Sequence, residues 1–245
     1  MQWYNELRVV VPFYPMLATG MLLAGDGAKQ SMRFAGSCAA YLRRHIFLTA
    51  THCTTVAHGE SLLVMMQAET GTRIVKAVIP HPTVDVAVVV TDPAEEDSMG
   101  FRMQVYGEID GSLMDGGDFI GFGYPVEGSA TGMPVGRLFK GHLQRSFGYD
   151  PPSGGSRYLA GEMSIPAPAG FSGGPLAWSH TPDRPIAVVT TNHDSYVILD
   201  RIEQVEQDGK VYRESTSRVV SYGIAAMLSG LKTWVDDVVS DHLEP

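Results

Sequence analysis

Short runs rich in Val, Ile, Leu, Phe and Thr recur along the chain, each bounded by Gly, Pro, Asp or Ser. Such runs suit a half-buried pleated surface, and the bounding residues are those that turns require. The pattern predicts strands over residues 8–13, 34–42, 45–50, 61–66, 73–79 and 84–90. A second set is predicted over 118–122, 136–143, 157–164, 185–191 and 218–225. The polar stretch 91–100, TDPAEEDSMG, separates the two sets, and 148–156, GYDPPSGGS, reads as a loop inside the second. Asp208-Gly209 has the form of a hairpin turn between runs at 201–206 and 210–214. Close to the C-terminus the period changes. Met227, Leu228, Leu231, Trp234, Val235, Val238 and Val239 recur at i, i+3, i+4, i+7, with Lys232, Asp236 and Asp237 between them, which predicts an amphipathic helix. Regularly spaced short strands with one terminal helix imply an all-β sandwich or barrel architecture. The predicted division is a β unit over 1–95, a second over 96–226 and the helix over 227–243.

Composition agrees with this pattern and narrows the function classes. In 245 residues, 44% are hydrophobic and 18% charged, with 27 Gly and 15 Pro. That is a turn-rich globular chain long enough for a sizeable core, and neither a disordered segment nor a charged bundle. The net charge of −9 lacks the basic footprint of a nucleic-acid binder or of a polybasic membrane patch. No run of about 18 apolar residues predicts a spanning helix. The nearest stretch, residues 9–25, is broken by Pro12 and Pro15 and preceded by Glu6 as well as Arg8. It reads as early strands of the fold rather than a secretory signal, which favours the cytoplasm over a secreted or periplasmic site. Two cysteines are too few for a disulfide scaffold, and without CxxC or HxxxH spacing neither a metal nor another cofactor is expected.

Three segments carry chemistry together. They are Leu48-Thr49-Ala50-Thr51-His52-Cys53, the run from Ile79 to Val89 containing His81-Pro82 and Asp85-Val86-Ala87-Val88, and Gly170-Phe171-Ser172-Gly173-Gly174-Pro175. Singly each is a weak signal. Jointly they supply what a serine nucleophile needs: a base to take its proton and an anion to orient that base and stabilise its cation. His52 follows an apolar strand that would fix its position. Asp85 opens an apolar run that would shield its carboxylate. Ser172 lies among glycines whose backbone N–H groups can face an incoming carbonyl. The remaining histidines, His45, His58, His81, His142, His180 and His242, read as ordinary polar residues.

The three motifs in this order resemble the trypsin/chymotrypsin-like serine proteases. The resemblance implies two antiparallel six-stranded β-barrels with a C-terminal α-helix and the site at the barrel junction. It implies His52 as general base, Asp85 as orienting acid and Ser172 as nucleophile, with the amides of Gly170 and Ser172 forming an oxyanion hole. A polypeptide substrate follows, and a regulatory protein partner would restrain such an enzyme in a cytosol. The family often has a disulfide at the places of Cys38 and Cys53. Two reduced buried thiols are the alternative.

The chain departs from the digestive members. They have Asp directly before the serine, to pair with an N-terminus freed by cleavage, and here that residue is Phe171. A site formed without N-terminal processing is therefore expected. The short His52–Asp85 separation of 33 residues, the Gly-Phe-Ser serine loop and Ser221-Tyr222-Gly223-Ile224-Ala225 before the helix make the chain look like the compact bacterial branch, which includes glutamyl-endopeptidase-like and high-temperature-requirement-like proteases. Pro166, six before the serine, falls near the family's pocket floor, though in Pro166-Ala167-Pro168 it also reads as a plain loop proline. The pocket wall would run through Thr190, Asn192 and His193. His193 is either an acid-recognising residue or an exposed loop histidine beside Asp194. A neutral or apolar residue before the cut is the resulting expectation. Two other readings stand beside this one. One is a catalytically silent or partner-gated module on the same fold. The other is an α/β-hydrolase-type esterase, since Gly170-Phe171-Ser172-Gly173-Gly174 also matches its nucleophile elbow.

Overall fold

A computed structural model describes residues 13–26, 31–66, 71–92, 104–126, 134–152, 154–205 and 211–242. A short helix α1 (Phe13–Ala18) leads into six strands: β1 (Thr19–Asp26), β2 (Ser31–Tyr41), β3 (Arg43–Thr49), β4 (Ser61–Met66), β5 (Thr72–Pro80) and β6 (Ala87–Thr91). They close antiparallel in the order β1-β2-β3-β6-β5-β4, with β4 returning to β1 through Gly20↔Met66 to Gly25↔Ser61. Gly20 makes that closure fit, because a Cβ there would lie 2.4 Å from Met66 Sδ. The alternation expected of a one-sided strand is plain in β4, where Leu62, Val64 and Met66 point inward.

Six more strands form the second barrel: β7 (Asp118–Gly123), β8 (Arg137–Tyr149), β9 (Tyr158–Met163), β10 (Pro175–Trp178), β11 (Thr181–Val205) and β12 (Val211–Met227). Their order is β10-β11-β12-β9-β8-β7, and β7 closes on β10 through Leu176↔Gly121, Ala177↔Ile120 and Trp178↔Phe119. Closure removes the unpaired edges that an open sheet would expose. Two closed antiparallel barrels, with no helices alternating with strands among the described residues, exclude the α/β-hydrolase reading.

One apolar cluster spans both barrels and the terminal helix α2 (Lys232–Ser240). It joins Tyr41, Leu48 and Val86 to Tyr158, Val188 and Ile224, and these to Val235 and Val239. Side chains of this size each contribute roughly 1.5–3 kcal/mol when fully buried, so the barrels are held in one register by their shared core. His45 adds a polar tie, its Nε2 standing 3.0 Å from His242 O at the end of α2.

Several predicted boundaries move. The strand expected at 8–13 lies, save Phe13, outside the described residues, and Phe13 opens α1. Among the described residues the first strand is β1, a few residues on. The helix expected over 227–243 begins later, because Met227 still pairs with Ala187 and 228–230 form a 3-10 turn ending at Gly230. β10 was not predicted: four buried residues are too short to show a period. Most of the separating stretch 91–100 and the turn expected at Asp208-Gly209 lie outside the described residues; the last described pair before the latter is Val205↔Val211. Among the described residues no helix is long and apolar enough to cross a membrane.

Candidate active site

His52 sits in a 3-10 turn, Thr51–Thr54, directly after β3. β3 is buried from His45 onward, so the turn starts from a fixed point. Asp85 stands in the loop between β5 and β6. That loop is built by His81, whose N–H donates to Val86 O at 2.8 Å while its Nδ1 accepts from Val84 N at 3.0 Å. An accepting Nδ1 requires the neutral ring, and burial lowers the His81 pKa in that direction. Trp234 of α2 packs edge-on against the ring at 4.9 Å. The histidine taken for an ordinary polar residue therefore shapes the aspartate loop. Its signal in the sequence was the His-Pro dipeptide before Asp85.

Asp85 holds His52 twice. Its Oδ1 accepts from the His52 backbone N–H at 2.9 Å, and its Oδ2 lies 2.6 Å from Nδ1. The short contact places the proton on Nδ1 and leaves Nε2 free to act as a base. The Asp85 hydrogen bond is the largest cause raising the His52 pKa from 6.5 to about 10, followed by the Cys53 side chain, with desolvation opposing.

Ser172 comes from the second barrel. Its loop is fixed by the first: Ser37 N donates to Ser172 O at 2.9 Å, and Ser37 Oγ to Gly170 O at 2.8 Å. Gly173 must be glycine here, because it has φ of 82° and a Cβ would lie 2.0 Å from Ser37 O. Phe171 N donates to Pro168 O, closing a turn with Gly170 at φ 93° in its third position. Peptide groups are trans and planar, so each N–H points away from the preceding carbonyl. Ala169 O accepts from Val126 N and Phe171 O from Gly174 N. The N–H groups of Gly170 and Ser172 thus point the other way, and none of the described residues takes them.

His52, Asp85 and Ser172 line one groove of about 660 Å³ at the junction of the barrels, together with Thr83, Tyr149, Tyr158, Pro151, Pro152, Ala167 and Thr190 to Asn192. The Ser172 hydroxyl donates to Thr190 O at 3.3 Å rather than to His52. Of the four residues expected at the pocket, Thr190 and Asn192 line the groove, whereas Pro166 and His193 do not. Pro166 is exposed one residue ahead of the lining Ala167, and His193 is exposed opposite Tyr222. Asn192 is occupied structurally. Its Oδ1 accepts from Ala167 N and its Nδ2 donates to Ala167 O, both at 2.7 Å. Tyr149 and Tyr158, packed edge-to-face with ring centroids 5.5 Å apart, form an aromatic wall that the strand pattern did not mark as functional. Cys38 and Cys53 hold free buried thiols in place of the disulfide that the resemblance implied. Their sulfurs face different groups: Cys53 Sγ donates to Ser172 O, and Cys38 Sγ lies against Gly20. Among the described residues no His, Cys, Asp and Glu cluster is arranged to hold a metal ion.

No protein-family model matches the sequence, and no curated protein matches it. Solved structures do match. The active form of the Rv3671c protease from M. tuberculosis aligns with TM-score 0.57 at 14% identity, over 89% of this chain and 78% of that one. The HtrA-type protease AlgW with a decapeptide aligns with TM-score 0.59 at 14% identity, over 94% of this chain and 66% of that one, so this chain spans just under two thirds of AlgW. A thermostable serine protease, AL20, from an extremophilic microorganism aligns with TM-score 0.57 at 13% identity, over 89% and 94%. At these identities the likeness establishes the chymotrypsin-like double-barrel fold.

Proposed function

We propose that the protein is a serine endopeptidase that cuts polypeptides through an acyl-enzyme intermediate. The observation that carries the reading is the Asp85–His52 pair, joined at 2.6 Å, in one groove with Ser172 and beside two amides that no described residue takes. Ser172 Oγ attacks the scissile carbonyl as His52 Nε2 takes its proton, and the Gly170 and Ser172 N–H groups hold the oxyanion. His52 then protonates the leaving amine, and water hydrolyses the ester. The groove's uncharged walls suit a neutral or apolar residue before the cut.

The site forms without N-terminal processing in this reading. Phe171 is fully buried, and its ring stacks on Phe139 at 4.2 Å and 21°. Gly121, Gly123 and Gly174 leave it room, a Cβ at Gly123 falling 2.4 Å from the ring. Apolar packing thus anchors the turn where an ion pair anchors it in the digestive relatives.

A fluorophosphonate tests the proposal. The full chain should form a covalent adduct on Ser172, Ser172→Ala should abolish it, and a peptide library should show cleavage after neutral residues. The second reading is a silent or partner-gated module, favoured by the Ser172 hydroxyl bonding to Thr190 O instead of His52. A well-folded chain that takes no label establishes that reading. Catalytic hydrogen bonds often tighten only with substrate bound, so the serine rotamer by itself does not decide.

A further inference from the structure

Asp85 stands at the centre of a tight reversal. Val86 N donates to Val84 O at 2.7 Å across it, closing a three-residue turn, and His81 N donates to Val86 O at 2.8 Å at the base of the loop. Three residues separate His81 from Asp85. Pro82 has no N–H to satisfy, and the His81 ring takes those of the other two: Nδ1 accepts from Thr83 N at 3.2 Å and from Val84 N at 3.0 Å. Val84 is buried, so its N–H has little water to turn to. The ring is held in turn by α2, through the edge-on contact with Trp234, which packs on the core that spans the barrels. The Asp85 carboxylate has no such support of its own. Among the described residues both of its hydrogen bonds run to His52, the group it would have to orient, and its side chain is partly exposed. A carboxylate bonded only to the ring it aims takes its direction from the backbone beneath it.

We propose that His81 is a positioning residue for the reaction: by accepting the N–H groups of Thr83 and Val84 it sets the direction of the Asp85 carboxylate, and through it the orientation of the His52 imidazole. The inference rests on the peptidase reading above. An acceptor four residues ahead of the aspartate does what burial of the carboxylate does not, since it holds the backbone on which that carboxylate stands. The contact is demanding. The neutral ring, with its proton on Nε2, has one lone pair at Nδ1, and that lone pair serves both amides. A side chain of similar size without an acceptor leaves both amides empty and lets the reversal relax. Small displacements matter at this point, because a shift of about 1 Å in the catalytic geometry costs on the order of a hundredfold in rate. The titratable groups acting on the His52 ring are Asp85 and the Cys53 thiol. Cys53 belongs to the same 3-10 turn as His52, so loosening the aspartate loop withdraws the contribution of Asp85 alone.

Two substitutions in the full chain separate the acceptor from the bulk of the ring. His81→Leu fills the place beside Trp234 and accepts nothing. His81→Asn offers a carbonyl oxygen to the N–H groups that follow it, as asparagine does in turns. On a cleaved peptide, His81→Leu should lower kcat about ten- to a hundredfold with KM little changed, and should move the acid limb of kcat/KM down toward that of Asp85→Asn. His81→Asn should restore most of kcat and return the limb. In the Asp85→Asn background His81→Leu should change kcat less than about twofold, because both substitutions act through one contact. A uniform loss at every pH, with the limb in place and the two losses additive, overturns the proposal, since a less stable fold acts in that way. Equal rates for His81→Leu and His81→Asn overturn it too. If His81→Leu does not fold, His81→Gln makes the same comparison with its oxygen displaced by one methylene, and an unmoved limb in that variant overturns the proposal. A fluorophosphonate adduct on Ser172 of the wild type with an unmoved limb in the variants removes the positioning role alone. Absence of both adduct and cleavage in the wild type removes the peptidase reading, and this proposal with it.

Discussion

Ser37, on β2 of the first barrel, donates its hydroxyl to the carbonyl of Gly170 in the serine loop of the second, at 2.8 Å. The same hydroxyl accepts from Tyr124 N at 3.1 Å, the Ser37 N–H donates to Ser172 O, and its carbonyl accepts from Thr49 Oγ1 at 2.7 Å. One fully buried residue thus ties the strand leading to the histidine, the β7 end and the serine loop together. Relative placement of His52 and Ser172 depends on this joint as well as on the apolar contact between barrels.

Ser37→Ala is expected to damage both stability and turnover. It leaves Gly170 O and Tyr124 N without a partner in a buried place, and each such group costs about 1–3 kcal/mol. Loss of one oxyanion donor outright costs about 10²–10³ in turnover, so a loosened Gly170 should lower kcat about tenfold or more while KM changes little. Thermal melts and a kcat-against-KM comparison check this. A stable variant with unchanged kcat shows that the turn holds itself.

Phe171 tests what anchors the turn. Phe171→Ala removes a buried ring and should cost about 3–5 kcal/mol. Phe171→Leu should retain most of the activity, and Phe171→Asp should abolish it, because a carboxylate there would be buried among Phe139 and glycines without a partner. Full-length protein should label with a fluorophosphonate before any trimming. Limited proteolysis that converts an inert chain into an active one would show that the N-terminus is needed after all.

The candidate site residues were more legible in the sequence than the architecture that brings them together. His52, Asp85 and Ser172 stood in short motifs whose neighbours, an apolar strand or a glycine cluster, are local features. Ser37 could not be found that way. It is one serine in a strand, and its importance comes from the barrel that folds against it more than a hundred residues later. Thr190 and Asn192 were placed at the groove because they lie on the strand after the serine loop. Pro166 missed it by one residue, with Ala167 on the groove instead, and His193 missed it on β11, where the shift between Val189 and Thr191 changes which residues face the groove. The long β11–β12 ribbon was visible only as four separate runs, 185–191, 201–206, 210–214 and 218–225, because the residues between the outer and inner runs lack a clean alternation.

The Asp85–His52 pair makes activity and stability depend on pH in opposite directions. In the proposed mechanism the imidazole must be neutral to accept the serine proton, and Asp85 raises its pKa well above 6.5. The acid limb of kcat/KM should therefore have its midpoint above 6.5, with activity still rising into the alkaline range. Asp85→Asn should move that limb down and lower turnover by roughly four orders of magnitude, as loss of the orienting acid does in a Ser-His-Asp triad. For stability, a raised pKa in the folded state favours folding below 6.5, the contribution fading as pH climbs through about 10. With His52 and Asp85 side chains 49% and 34% exposed, solvent screening makes the effect small. Melts of the wild type should fall gently across that window and those of Asp85→Asn should be flatter. An acid limb at 6.5 in both proteins would mean that Asp85 does not control the imidazole.

The cysteines allow a test that needs no substrate. Burial pushes the Cys38 thiol far up, so it is protonated and unreactive at neutral pH. Cys53 is buried too, with its Sγ directed at Ser172 O at 3.6 Å. A thiol reagent should therefore react slowly with the native protein and titrate both thiols once the chain is unfolded without reductant. Unfolded protein that releases no thiol under those conditions contains the Cys38–Cys53 bridge. In that event Cys53 no longer has a proton to donate to Ser172 O, and Ser37 N is left as the sole described donor to that carbonyl. Cys53→Ser separates the two cases through the serine loop itself. With free thiols, a hydroxyl can take over the bond to Ser172 O, and labelling of Ser172 should continue at a similar rate. With a bridge, the substitution also breaks a covalent tie, and the melting temperature should fall by several degrees.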